Sequence, residues 1–401
     1  MRRRSFLALA AASTAGRALP AWARRQPLRV GVVGAGIVGA SIAYHLAEAG
    51  AQVTVFEKTG AASGATRNSF AWINAFVADT HYRDVRLRSL LAYHELDRRL
   101  GLGIVWGGYL NWASDEAQAA VVRSNAAQLQ GSPYPVVQVT PGDIASLSPH
   151  LIPGRISTAI YSAIDGHLDP VHVTQRFLAG AKSFGAQLRC PCELRALNFR
   201  HGRLASAVTD RGVFALDRLI VAAGVDTPRV LALCDFKLKL RHAPGILAHS
   251  APTAELTRII HDAPAGLSFK QMANGSIVGT DAPEPPDLPV HAGILAGPMD
   301  FPDEALRAMH GNRILGKIAA FLPGVREAPL EWLSLGFRPM PTDDFPVVGA
   351  LPATADVYAT VTHSGVTLAP ILGRWVSAEL LYGTRRDELK PYRPERFAVA
   401  G

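Results

Sequence analysis

The sequence predicts an α/β protein with two parts. One is a doubly wound, Rossmann-like domain assembled from discontinuous segments; the other is a mostly antiparallel β domain with helices. Three observations predict this. An apolar run, Leu28–Val33, meets the glycine pattern Gly34-Ala35-Gly36-Ile37-Val38-Gly39 and then a helical stretch. A second apolar run closing on glycine, Leu219–Gly224, lies far downstream. Residues 236–337 alternate short strands with polar turns, and strand-and-helix character returns only after them.

Leu28–Val33 (LRVGVV) is rich in β-branched residues, as a strand buried on both faces must be. Ile37–Ala49 keeps its apolar residues on one face and ends at Gly50, which predicts a helix. Gln52–Glu57 is a second strand, completing a βαβ unit. The G-x-G-x-x-G turn lets backbone N–H groups approach a pyrophosphate, with the helix N-terminus adding a favourable field. Glu57, 23 residues after Gly34, sits where a carboxylate accepts from ribose hydroxyls and disfavours a 2′-phosphate. The motif alone leaves FAD and NAD both open.

Asp84–Leu100 reads as a charged amphipathic helix, and Gly101–Pro153 mixes short strands, a polar helix near Ser114–Gln130 and several prolines. Asp165–Pro170 (DGHLDP) precedes a helix over Val171–Phe184, and a hairpin-like section leads to Leu219–Gly224. Asn274-Gly275 between apolar runs signals a hairpin. Phe345–Gly349 and Val357–Val361 are strands, and Val366–Leu381 is a long helix in which Pro370 breaks the pattern only if it lies beyond the first turn. Tyr109, Trp112, Phe269 and Trp332 fall at strand spacing and read as core.

The chain has 401 residues, 48% hydrophobic and 18% charged, which excludes disorder and suggests about two domains. Of the net charge of +8, Arg2, Arg3, Arg4 and Arg17 supply half, and the scattered remainder predicts no nucleic-acid partner. Cys190, Cys192 and Cys234 are too few for a disulfide scaffold, lack metal-ligand spacing and read as small buried hydrophobes; no metal is expected. Residues 1–23 combine Arg3-Arg4-Ser5-Phe6-Leu7, an uncharged run from Ser5 to Gly16 too short to span a bilayer, and Ala21-Trp22-Ala23 as a small-x-small cleavage pattern. This resembles a twin-arginine signal peptide, which exports folded proteins to the periplasm.

GAGIVGAS with Glu57, ASGATRNS (62–69), DGHLDP (165–170), LIVAAGVDTPRVL (219–231), GFRPMPTDDFPVVG (336–349) and HSGVTLAPILG (363–373) follow one another from residue 28 to about 382. In that order and spacing the chain resembles the FAD-dependent D-amino acid oxidase superfamily, the group with glycine oxidase, sarcosine oxidase and D-amino acid dehydrogenase. The resemblance implies an FAD domain over residues 24–90, 155–232 and 338–392, a substrate domain over 91–154 and 233–337, and a tail over 393–401. It implies FAD contacts from Gly34, Gly36, Ile37, Val38, Gly39, Glu57, Lys58, Ser63, Ala65, Thr66, Arg67, Asn68, Ala223, Gly224, Gly365, Val366 and Thr367. The flavin is expected to be noncovalent, because neither the cysteine near the Arg338 segment nor the histidine beside the Ser63–Asn68 loop that some relatives use is present.

Arg338 is where glycine oxidase-like members place the arginine that pairs with the substrate carboxylate, and only a guanidinium offers a planar fork that stays charged in an apolar pocket. The activity implied is oxidation of the carbon–nitrogen bond of a small amino acid (a D-amino acid, glycine or an N-methyl amino acid) by hydride transfer to flavin, with oxygen or a quinone or carrier as acceptor. A secondary-amine dehydrogenase and a silent FAD-binding subunit are the alternatives. His363 reads as a packed histidine. Thr362 stands where a glycine often precedes that histidine, and Asp343-Asp344-Phe345-Pro346 departs from the commoner Asp-Gly-x-Pro turn.

Overall fold

The computed structural model describes residues 27–281, 289–296, 300–301 and 303–397. The leader at 1–23 lies outside them. Arg29–Val33 forms the centre of a six-stranded sheet, flanked by Gln52–Phe56 and then Gln187–Arg189 on one side. On the other lie Arg218–Val221, Thr354–Val361 and Val347–Leu351. All neighbours run parallel except the last pair. Val30, Val32 and Val33 are buried, so this strand does carry the continuous apolar run of a strand covered on both faces.

One face packs against the helices Ile37–Glu48, Pro170–Ser183 and Gly365–Tyr382. The other packs against a three-stranded antiparallel sheet, Leu194–Arg200, Arg203–Thr209 and Gly212–Ala215, through Phe56, Leu194, Leu204 and Leu219. Asn274-Gly275 does turn the chain between antiparallel strands Leu267–Gln271 and Ile277–Asp281, with Gly275 at φ +91°. Those strands belong to an eight-stranded second sheet, antiparallel except where Ile260–Ala263 meets Tyr109–Ala113. The helix Glu304–Phe321 covers one face of it through Ile314 and Ile318.

Three boundaries differ from the sequence reading. The helix Thr80–Leu100 is continuous through residue 90 and packs on Gly365–Tyr382, so it belongs with the first domain. Thr158–Ser162 pairs with Tyr109–Ala113, so the second sheet extends past residue 155. Residues 393–397 are no tail. Arg393 is buried against Glu379, and a turn over Pro394–Phe397 packs on Val347–Leu351. Among the cysteines, Cys192 and Cys234 are buried but Cys190 is exposed. Tyr109, Trp112 and Phe269 are core residues, as read.

Candidate active site

A cavity of about 1000 Å³ runs between the two sheets, from Glu57 past the Gly365 helix to Arg338 and His310. At one end Gly34 adopts φ +103°, where an added Cβ would strike the Ala222 carbonyl. The turn is closed by hydrogen bonds: the Ala35 N–H donates to Glu57 Oε2 at 2.9 Å, and the Thr59 N–H to Oε1 at 2.8 Å. Glu57 is thus held at the strand end with its carboxylate facing the cavity. The loop after it docks on the same turn, the Ala62 N–H donating to the Ala35 carbonyl at 3.0 Å. The Ile37 N–H donates to Thr66 Oγ1 at 3.1 Å, fixing that loop to the helix start.

Gly34, Gly36, Ile37, Val38, Glu57, Lys58, Ser63, Ala65, Thr66, Asn68, Ala223 and Gly224 all line the cavity. Gly39 does not: it lets the helix lie against the Gly34 carbonyl, which a Cβ there would overlap. Arg67 does not either; its guanidinium sits 5.3 Å above the Trp332 ring. Lys58 is paired with Asp226, beside Gly224. The cavity-lining turn at Gly34, Gly36, Ile37 and Val38, the helix N-terminus without an acidic residue in its first turn, and the Glu57 carboxylate fit a dinucleotide.

At the middle of the cavity Gly365, Val366 and Thr367 open the Gly365–Tyr382 helix. Pro370 lies beyond its first turn, yet the helix continues. Proline lacks the N–H that would bond the Val366 carbonyl, and the Tyr93 hydroxyl donates to that carbonyl instead, at 2.5 Å. The Ser89 hydroxyl donates to the Thr367 carbonyl at 2.6 Å. Thr362 is buried and accepts the Ser364 N–H at 3.1 Å, so the threonine organises the approach to this helix. Asp344 takes φ +67°, the conformation for which the commoner glycine is suited, and pairs with Arg241.

Beyond it, Gly336 lies so close to the docking loop that an added Cβ would come within 2.5 Å of Asn68 Cβ. This brings the end of the strand Leu330–Phe337 to the cavity and projects Arg338 into it. Among the described residues Arg338 donates to main-chain carbonyls, Nε to Ala243 at 3.3 Å and Nη2 to Pro244 at 3.5 Å. No acidic side chain among the described residues forms an ion pair with it. Surrounding protein lowers its pKa by desolvation, and nearby Arg241 adds to the effect. His363 is not packed away: like Arg338 it is exposed and lines the cavity. Desolvation by the surrounding protein, with help from Arg338 and Arg86, pushes its imidazole down to about 4, so it is neutral at pH 7.

The sequence reading missed Trp72, Asn74 and Arg86, which line the same cavity, and the polar far end formed by Asp281, His291, His310 and Arg313. Trp72 is fixed by its indole N–H, which donates to buried Asp165 at 2.7 Å, giving the DGHLDP segment a positioning role. Burial raises Asp165 to about 7, against hydrogen bonds from Tyr134, Trp72 and Ser162 that oppose the rise. No local signal marks these residues, because an arginine or aspartate on a polar stretch reads as solvated until the fold buries it.

Residues 29–379 match the family model described as FAD dependent oxidoreductase. The chain is 26% identical to an uncharacterized oxidoreductase, YurR, of Bacillus subtilis (90% of this chain, 97% of that protein). It is 25% identical to glycine oxidase of Geobacillus kaustophilus, covering 87% of this chain and 91% of the relative. It is 22% identical to human mitochondrial dimethylglycine dehydrogenase, where 91% of this chain matches only 44% of the longer protein. The solved L-proline dehydrogenase of P. horikoshii superposes with a TM-score of 0.80 at 21% identity, over 93% of this chain and 98% of that one. With a glycine-lined dinucleotide cradle on one sheet, a second sheet roofing the cavity, and a family match over almost the whole described chain, this protein belongs to the FAD-dependent oxidoreductase family.

Proposed function

We propose that the chain oxidises the carbon–nitrogen bond of a small amino acid, primary or N-methylated, and that Arg338 holds the substrate carboxylate. The observation that carries this reading is a guanidinium in the cavity with no acidic partner. An unpaired charge in such a place calls for an anion, and the planar fork suits a carboxylate. Similarity to glycine oxidase and dimethylglycine dehydrogenase supports an amino acid as the substrate class.

FAD held by the Gly34–Val38 turn, Glu57 and the Ser63–Asn68 loop would supply a two-electron acceptor. The residues around it bind, orient and exclude water. Arg338 fixes one end of the substrate, so that the α-carbon has a defined position relative to the Gly365 helix. Leu335, Phe337 and Trp72 present apolar surface, which keeps the field of the helix N-terminus unscreened. Neutral His363 adds no charge that would compete for the carboxylate. Electrons leave to oxygen or to a quinone or carrier, and the rate of reoxidation in air-saturated buffer separates the two. We further propose export of the folded protein through the Arg3-Arg4 signal.

Arg338→Ala tests the reading. Losing one member of a partly buried charged pair costs about 3–5 kcal/mol, so kcat/KM falls by roughly two to four decades with flavin content unchanged. Arg338→Lys restores only part of it, since an ammonium cannot make two parallel hydrogen bonds. Amines without a carboxylate lose much less. Near-normal oxidation of an amino acid by the alanine variant would overturn the assignment.

A further inference from the structure

Two arginines that lie close together on the Thr80–Leu100 helix are both buried, and they are used differently. Arg83 (3% exposed) is saturated by main-chain oxygens, donating to the carbonyls of Val77, Ala78 and Gln128, and it does not line the cavity. It is a structural arginine. Arg86 (7% exposed) does line the cavity. Among the described residues its hydrogen bonds go to one residue, Nε to the Asn74 carbonyl at 2.9 Å and Nη2 to Asn74 Oδ1 at 2.7 Å, and its guanidinium lies over the Tyr82 ring. No carboxylate among the described residues forms an ion pair with it, and burial lowers its pKa. The nearest acid to influence it, Asp165, is taken up by Trp72, Tyr134 and Ser162.

Arg86 also has a defined place in the site. Ser89 and Tyr93, three and seven residues further along the same helix face, hold the carbonyls of Thr367 and Val366. That face therefore lies across the first turn of the Gly365 helix, and Arg86, one turn before Ser89, lines the same cavity as Gly365, Val366 and Thr367. Arg338 reaches the cavity from just past the second-sheet strand Leu330–Phe337, anchored on Ala243 and Pro244. Both guanidiniums help to lower the His363 pKa, and all three residues line the cavity. One carboxylate satisfies one fork. A cavity lined by two guanidiniums without a carboxylate partner, one of them buried, has a place for two.

We propose that Arg86 is a second carboxylate-binding residue of the substrate site, so that the preferred substrate is an amine carrying two carboxylates, such as an acidic or N-carboxyalkyl amino acid. This rests on Arg338 holding the first carboxylate. A buried charge-assisted hydrogen bond discriminates by about tenfold or more against a ligand that lacks its partner.

The test uses the FAD-loaded enzyme and two ligands that cannot be oxidised, glutarate and valerate, which share a five-carbon chain but differ by one carboxylate. Binding is read from the perturbation of the flavin absorption spectrum. Glutarate is expected to bind the wild-type enzyme about tenfold or more tightly than valerate. In Arg86→Met that ratio collapses towards one, and in Arg86→Lys it is intermediate. A ratio near one in the wild type, which needs no variant to fold, overturns the proposal. So does a ratio preserved in Arg86→Met. Arg338→Met is expected to weaken both ligands, and if valerate binding survives there, the Arg338 reading fails instead.

Discussion

Gly36 shows how tightly single residues constrain the cofactor end. A Cβ added there would lie 3.1 Å from Thr66 Oγ1, the atom that accepts the Ile37 N–H and fixes the loop to the helix. A branched side chain would displace that threonine and occupy the approach to the helix N-terminus. Gly36→Val is therefore expected to purify largely without flavin. The wild type should carry FAD that is released completely by acid precipitation, as a noncovalent cofactor is. Absorbance of the supernatant at the flavin band checks both, and stoichiometric FAD in the valine variant would remove the basis for the cradle. At this scale the sequence pointed to residues whose role depends on backbone, and Gly34, Gly36, Glu57 and most of the Ser63–Asn68 loop line the cavity. Arg67 and Gly39 lie outside that lining, their surroundings set by Trp332 and by the Gly34 carbonyl.

Among the elements, the Gly365–Tyr382 helix joins site and core. Its first turn lines the cavity, while Glu379 near its end is buried against Arg393, with contacts of 2.8 and 2.5 Å. The Tyr358 hydroxyl donates to the same carboxylate at 2.6 Å. Burial alone would raise the Glu379 pKa, but hydrogen bonds from Arg393, Tyr358 and the Arg386 N–H outweigh it and hold the carboxyl below its ordinary value. Removing one partner of such a pair leaves the other charge buried, a loss of about 3–5 kcal/mol. Glu379→Gln should show it as a lowered denaturation midpoint in urea, and Arg393→Met in the same chain should recover part of it. Because the folded pKa is depressed, this contribution is present at neutral pH and fades as pH falls through that depressed value. The gap between wild type and Glu379→Gln should narrow in acid. A gap that is flat with pH would show that packing, not charge, dominates.

For the molecule as a whole, the cofactor cavity does not exist until residues 34 to 367 have come together. The export proposed from the Arg3-Arg4 pattern would need a route for folded cargo if FAD binds in the cytoplasm. Changing both residues to Lys should leave flavin-loaded protein in the cytoplasm, as measured by fractionation. Unchanged periplasmic accumulation would show a different route or none.

The sequence by itself determined the parts that depend on near neighbours in the chain: the βαβ unit around Gly34, the Asn274-Gly275 turn, the helix that starts at Gly365. Periodicity and turn chemistry act over a few residues, so they survive without tertiary context. Recurrent motifs in a fixed order placed the segments in one family as well. Only the tertiary structure decided that Thr80–Leu100 packs on the Gly365–Tyr382 helix, that Arg393 belongs to the core, and that Arg86 and Arg338 line one cavity. Those facts depend on desolvation and pairing between residues hundreds of positions apart. A charged side chain reads the same in sequence whether water or protein surrounds it, and its surroundings are fixed only when the sheets and helices pack.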